Sequence, residues 1–187
     1  MHFARGVVAV LLASGLAGCS GDVSHDVRGR GLSTASLSPT EQARVYAAAA
    51  RGAFDVDDPG LSLLFDRRLL PRTVGLAPAG IVSDDVVAEL RRRGAIKGVC
   101  EPKLDSGRGT ARCSAALPGY VIRFSPVFKL RGDSTQVYVY AQKYDTPASG
   151  VSQALRFERA YQVVRRGDDW TAVREGRIPK EVRGESK

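Results

Sequence analysis

The chain has 187 residues and a formal net charge of +8 at pH 7, a length that suits one domain with a substantial core. Its two histidines, His2 and His25, both precede the first predicted helix. A Ser-His-Asp or Cys-His nucleophile and a histidine-containing zinc site are therefore excluded from the predicted domain. The sequence also lacks a Gly-rich phosphate loop with its Lys and a G-x-S-x-G motif, so we predict no cofactor and no metal.

An apolar run over residues 7–19 follows the basic Arg5 and ends in Leu16-Ala17-Gly18-Cys19. This anatomy is typical of a secretory signal, and the run is too short to span a bilayer. The ending resembles the lipobox of bacterial lipoproteins, which implies that Cys19 is lipidated and becomes the first mature residue. Ser20 after the cysteine implies anchoring in the outer membrane, on its periplasmic side, in a host with two membranes. The alternative is an ordinary secretory signal with a chance cysteine at the cut.

The resemblance implies a lipoprotein signal peptide over residues 1–18, and composition and the predicted elements divide the rest into a flexible tether (19–37), a single domain (38–180) and a polar tail (181–187). Cleavage of the signal peptide would remove only Arg5 among the charged residues, which leaves 27 basic and 20 acidic residues in the mature chain. We expect the membrane as a partner through the lipid anchor, and an envelope protein or an anionic surface as a further partner. Nucleic acid is not an expected partner of an exported protein. Arginines that merely solvate the surface are the alternative explanation of the charge.

The first half of the domain predicts two helices and a short strand. Ser38-Pro39-Thr40-Glu41 predicts a capped helix start, and the helix runs to about Ala53 with Tyr46 in the core. Residues 61–65 predict a strand, with a helical turn as the alternative. Residues 83–85 open a second helix that ends at the triplet 91–93 and a glycine. This arginine triplet is either an anion site or a favourable placement of cations at a helix C terminus.

Two cysteines remain once Cys19 is assigned to the lipid. Cys100 and Cys113 flank a segment that contains Pro102, Gly107 and Gly109, and an oxidising compartment favours a bridge between them. Loop-closure entropy makes such a bridge worth about 3 kcal/mol. A metal site or a reactive thiol is the alternative, although no histidine is near enough in the sequence to complete a metal site.

The second half of the domain changes to strand periodicity. Residues 120–130 alternate with Ile122, Phe124 and Phe128 on one face, and Pro126 indicates a bulge or an edge. The turn at 131–134 contains an Arg-Gly-Asp tripeptide that resembles integrin-binding sites, but turn chemistry is the simpler account. Strands follow at 135–144 and through 155–163. Residues 167–169 predict a hairpin turn, and 170–178 predict the last strand.

Helices followed by strands predict an α+β class, with N-terminal helices on a curved antiparallel meander of about four to five strands. The element order and the final hairpin, from Tyr161-Gln162-Val163 through Gly167-Asp168-Asp169-Trp170, resemble the cystatin-like and NTF2-like folds over residues 38–178. The resemblance implies a helix in the palm of a curved sheet. Such folds carry binding modules, enzymes and adaptors, so they do not select a function.

Alternation in the strand 135–144 places small apolar residues on one face, where they fit beneath the Ala-rich helix. Tyr138 and Tyr140 then point to the other face. Because exposed aromatic patches usually mark contacts, we predict a candidate interaction surface of Tyr138, Tyr140, Arg156 and Arg123. The high strand propensity of tyrosine is the alternative explanation.

Together these patterns predict a cell-envelope lipoprotein with a non-catalytic binding or interaction domain. Two alternatives stay open: a small enzyme on the same fold with carboxylate or tyrosine acid–base residues, and a purely structural surface lipoprotein. The carboxylates of Asp133, Glu158, Asp168 and Asp169 show no pairing in the sequence, and we assign them no catalytic role.

Overall fold

The computed structural model describes residues 33–70, 80–100, 119–144 and 151–177, with the backbone alone for residues 144 and 151–156. Two helices and one seven-stranded sheet lie within these residues. The elements are α1 (Pro39–Ala53), β1 (Ser62–Asp66), α2 (Asp84–Arg92), β2 (Gly98–Cys100), β3 (Gly119–Phe124), β4 (Phe128–Lys129), β5 (Ser134–Tyr144), β6 (Val151–Arg166) and β7 (Asp169–Gly176).

Helix α1 begins with the predicted capping box. The Ser38 hydroxyl accepts a hydrogen bond from the Glu41 amide at 3.3 Å, and the Glu41 carboxylate accepts one from the Ser38 amide at 3.2 Å. Pro39 occupies the first turn, where its missing N–H costs nothing. The helix ends at Ala53, so both predicted ends are confirmed.

The main core lies between α1 and one face of the sheet. The helix is buried there through its alanines, and Val137, Val139 and Ala141 of β5 lie in the same apolar cluster. Tyr46 is fully buried and stacks on Phe124, with ring centroids 4.5 Å apart. The predicted core position of Tyr46 and the predicted fit of small β5 residues to this cluster are confirmed.

Helix α2 buries Val86, Val87 and Leu90, as predicted. Arg92 and Arg93, from the arginine triplet, both donate hydrogen bonds to the Glu89 carboxylate one turn earlier. The helix connects β1 to β2, and these two strands are parallel neighbours. This arrangement is a βαβ unit, in which a helical crossover returns the chain to the same end of the sheet.

The sheet order is β2-β1-β3-β5-β6-β7, and β4 pairs with β5 beside β3. Strand β1 is parallel to both β2 and β3, whereas the pairs from β3 to β7 are antiparallel. The α+β class with N-terminal helices is therefore confirmed. The sheet has more strands than the four to five predicted, because β2 and β4 are too short to show a periodic pattern.

The irregularity between β3 and β4 overturns one prediction about which side chains share a face of the sheet. Four residue steps separate Phe124 from Phe128, whereas three steps separate their β5 partners, Val139 and Gln136. One extra residue shifts the side-chain alternation, as in a β-bulge. Phe124 thus lies in the main core, and Phe128 lies in a second cluster with Tyr138. The prediction that these two phenylalanines share a face was wrong.

Residues just before α1 are paired with β4. The Ala35 amide donates to the Val127 carbonyl at 2.8 Å, and the Lys129 amide donates to the Ser33 carbonyl at 2.9 Å. Thr34 forms an antiparallel bridge with Phe128. The ordered domain therefore includes residues 33–37, which the sequence assigned to the tether.

Candidate functional site

The sheet face that points away from α1 is called the second face. By strand alternation it carries Leu64 and Asp66 of β1, Val121 and Arg123 of β3, Gln136, Tyr138 and Tyr140 of β5, and Glu158 and Ala160 of β6. Charged and aromatic side chains from four strands therefore lie on one surface. Sequence reasoning had placed its candidate interaction surface on this face.

Tyr138 is buried on the second face, contrary to the prediction of an exposed residue. Its side chain is 2% exposed, and its ring packs on Phe128 with the centroids 5.4 Å apart. Ala160 and Leu70 complete this small apolar cluster. Because the register shift places Phe128 on this face, the Phe128 ring covers Tyr138. Tyr138 is therefore part of a small second core.

Asp66 ends β1 as a buried carboxylate, with 1% of its surface exposed. The Arg68 guanidinium lies 2.6 Å from it, and the Arg68 amide donates to the same carboxylate at 3.0 Å. Arg123 of β3 donates from Nε at 3.1 Å and also from Nη2. One buried carboxylate therefore fixes two arginine side chains that come from different parts of the chain.

The electrostatics of this cluster keep the Asp66 carboxylate ionised. Burial acts to raise the pKa of Asp66, but hydrogen bonds from Arg68 and the charge of Arg123 outweigh burial and lower it below its usual value. The Asp66 hydrogen bond likewise raises the pKa of Arg68. A carboxylate held in this state is suited to positioning arginines rather than to donating a proton at neutral pH.

Arg123, Tyr140 and Glu158 form a row across three neighbouring strands. Tyr140 is paired directly with Arg123 of β3 on one side and with Glu158 of β6 on the other. All three side chains are half-buried. The bonds that Arg123 donates to Asp66 use Nε and Nη2. The row presents an aromatic side chain between opposite charges at the surface.

The remaining predicted site residues have different placements. Cys100 is fully buried at the end of β2, opposite Asp66 in the β1–β2 register. Cys19, Cys113 and the side chain of Arg156 lie outside what the structure describes, so lipidation, the bridge and the role of Arg156 stay predictions. Asp133 and Asp168 are exposed in turns, as the turn predictions implied, and Asp169 is exposed as the first residue of β7.

The part of the chain that the structure describes offers neither a metal-ion cluster nor a membrane-spanning helix. Among these residues, no three His, Cys, Asp or Glu side chains cluster in a way that could hold a metal ion. Within the same ranges, no helix has the length and apolar character needed to cross a membrane.

Sequence reasoning missed the Asp66 cluster. A local signal was present, because Asp66 directly follows the apolar run Leu63-Leu64-Phe65 and precedes two arginines. Arg123 carries no such signal: it lies 57 residues further on and meets Asp66 only because β1 and β3 are parallel neighbours. That pairing is set by the tertiary structure.

Comparisons with known proteins identify no relative. No protein-family model matches the chain, and no curated protein or solved structure is significantly similar to it.

Proposed function

We propose that the chain is a bacterial cell-envelope lipoprotein, anchored through Cys19, whose domain is a non-catalytic interaction module. The Leu16-Ala17-Gly18-Cys19 ending supports the anchor. The pairing of Ser33 with β4 leaves 13 residues, 20–32, between the lipidated cysteine and the domain. A flexible chain of that length spans about 20 Å on average and about 50 Å when fully extended. The domain would therefore stay close to the membrane and near other envelope proteins.

The observation that carries the interaction role is the row of Arg123, Tyr140 and Glu158. Tyrosine and arginine dominate the residues that contribute most to binding at protein interfaces. Here the buried Asp66 carboxylate fixes the arginine in advance, so less side-chain freedom is lost when a partner binds. With Tyr138 buried, Tyr140 becomes the aromatic centre of the proposed surface.

The alternative of a small enzyme has less support. A carboxylate acid–base catalyst needs a pKa near the working pH, whereas the arginines lower the pKa of the buried Asp66. Burial raises the pKa of both Tyr46 and Tyr138 to about 12, which opposes a tyrosinate base at either position. Positioning of charged side chains is therefore the better-supported role of the Asp66 cluster.

We also propose the bridge between Cys100 and Cys113. Cys100 is fully buried at the end of an edge strand, and an exported domain matures where disulfides form. A bridge at this point would hold the segment after β2 against the sheet edge.

The anchor is tested by metabolic labelling with a fatty acid in a bacterial host. Label should enter the wild-type chain and be absent from Cys19→Ser, while both are exported. Equal labelling of the two chains would refute lipidation at this cysteine.

The interaction surface is tested by site-specific photo-crosslinking in intact envelopes. A crosslinker at position 140 should capture a discrete partner. The matched control is position 173, since Val173 of β7 is also an exposed apolar residue, 43% exposed, but lies on another strand. The same partner yield at both positions, or none at position 140, would refute the role of this surface.

A further inference from the structure

Gln136 of β5 is fully buried, yet its side-chain amide has no partner in the described structure. Neither Nε2 nor Oε1 makes a hydrogen bond, and the same holds for the buried hydroxyl of Tyr138. The two residues are separated by one position in β5, so both side chains lie on the second face. Three polar atoms on adjacent side chains therefore lack hydrogen bonds.

Such a concentration is unusual, because buried polar side-chain atoms nearly always have a protein or water partner. Leaving a buried donor or acceptor without one costs its full desolvation penalty. The buried hydroxyl of Tyr46, by contrast, has both partners: it donates to the Ser125 carbonyl at 3.0 Å and accepts from Gln42 at 2.9 Å. Gln136 and Tyr138 are suited to bonding with a molecule from outside the chain.

The neighbours of the two side chains are uncharged, apolar beside Tyr138 and polar across from Gln136. Phe128 and Leu70 pack in the same cluster as Tyr138 and provide apolar contact. Ala160, directly across from Tyr138, has one of the smallest side chains that a strand can place there. Gln162, across from Gln136, is half-buried and adds a polar group toward the surface. Apolar walls with a few fixed polar groups are typical of ligand sites.

We propose that Gln136 and Tyr138 form a subsite for a small neutral molecule that carries a carboxamide-like group. A glutamine amide presents a donor beside an acceptor, and another carboxamide offers the complementary pair. The uncharged cluster of Phe128, Leu70 and Ala160 disfavours an anion, because a buried charge requires a partner. The subsite extends the proposed binding function into the second face but depends neither on the lipid anchor nor on Tyr140.

The first test compares two single-atom deletions in the full chain by thermal unfolding. Tyr46→Phe removes a satisfied hydroxyl and should lower the Tm by about 2–4 °C. Tyr138→Phe removes a hydroxyl without a partner and should leave the Tm unchanged or raise it. Equal losses in the two variants would show that the Tyr138 hydroxyl is satisfied within the protein and would overturn the proposal.

The second test is a titration of the isotope-labelled full chain with acetamide, followed by NMR at the Gln136 side-chain amide and at the backbone amide of Tyr138, which remains observable in Gln136→Leu. We expect a saturable shift in the wild type, an affinity at least fivefold lower in Tyr138→Phe, and loss of binding in Gln136→Leu. Tyr46→Phe should bind like the wild type. No saturable shift, or equal binding by wild type and Tyr138→Phe, would refute the subsite even if Gln136→Leu does not fold. Neither result bears on the crosslinking at position 140.

Discussion

Arg123 donates to the buried carboxylate of Asp66 from Nε at 3.1 Å, although the two residues lie 57 positions apart in the chain. Their contact joins the end of β1 to β3. It also fixes the guanidinium next to Tyr140, its neighbour across β3 and β5. A single buried carboxylate thus links the stability of the parallel part of the sheet to the charge of the proposed interaction surface.

Substitution of Asp66 by Asn should destabilise the domain by about 3 kcal/mol, because it leaves two arginines without their counter-charge. This value is at the low end for buried ion pairs, since the arginines are 17% and 27% exposed. Denaturant unfolding measures the change. Asp84→Asn is the control, because Asp84 pairs with Arg67 while 89% exposed and should have little effect. Equal losses in the two variants would contradict the prediction.

The contribution of Asp66 should also depend on pH. The folded-state pKa of Asp66 is lowered, so its stabilisation is fully present above the unfolded pKa, about 3.9. It is lost as the pH falls through the lower folded value. The pKa values of Glu41 and Glu89 are lowered as well, so wild type must be compared with Asp66→Asn. The stability difference between them should shrink below about pH 4, and a constant difference down to pH 2 would contradict the assignment.

Single alanine substitutions should separate Tyr138 from Tyr140. Tyr138→Ala removes a buried ring that packs on Phe128 and should cost about 3–5 kcal/mol. Tyr140→Ala affects a half-buried ring, so it should cost less and mainly reduce crosslinking to the partner, measured with the crosslinker moved to position 158, the neighbouring position on β6. Chemical unfolding and the crosslinking assay give the two readouts. A larger loss of stability at Tyr140 would mean that the two roles are reversed.

The proposed bridge predicts one linked peptide pair, Cys100 with Cys113, in unreduced digests of chain taken from the envelope. Reduction should lower the free energy of unfolding by about 3 kcal/mol. Cys113→Ser, measured without reductant, is the matched variant and should reproduce that loss. Two free thiols in the native chain would rule the bridge out.

Local chemistry made part of the fold predictable. The capping box at Ser38 and Glu41 defined the start of α1. Turn residues defined the β5 and β6–β7 boundaries, where Gly132 and Gly167 have φ values of 63° and 62°, which favour glycine. The alternation in β5 correctly separated Val137 and Val139 from the tyrosines. Each of these signals acts over a few residues, within the range that periodicity and capping can report.

The candidate site was less predictable because its contacts join distant segments. The sequence indicated which face Tyr138 occupies but not that Phe128 covers it, since that depends on one extra residue between β3 and β4. The sequence did not indicate that Gln136 would be fully buried, because strand alternation predicts the face on which a side chain lies but not which residues pack over that face.

By itself, the sequence determined the α+β class, the first helix and the turns, because hydrogen bonds within a segment and side-chain periodicity are local. Only the tertiary structure decided that β1 lies parallel between β2 and β3, which brings Asp66 to Arg123. It also decided which aromatic residue of β5 stays near the surface. Both outcomes depend on strand register, and register is fixed when segments far apart in the chain bury their apolar faces together.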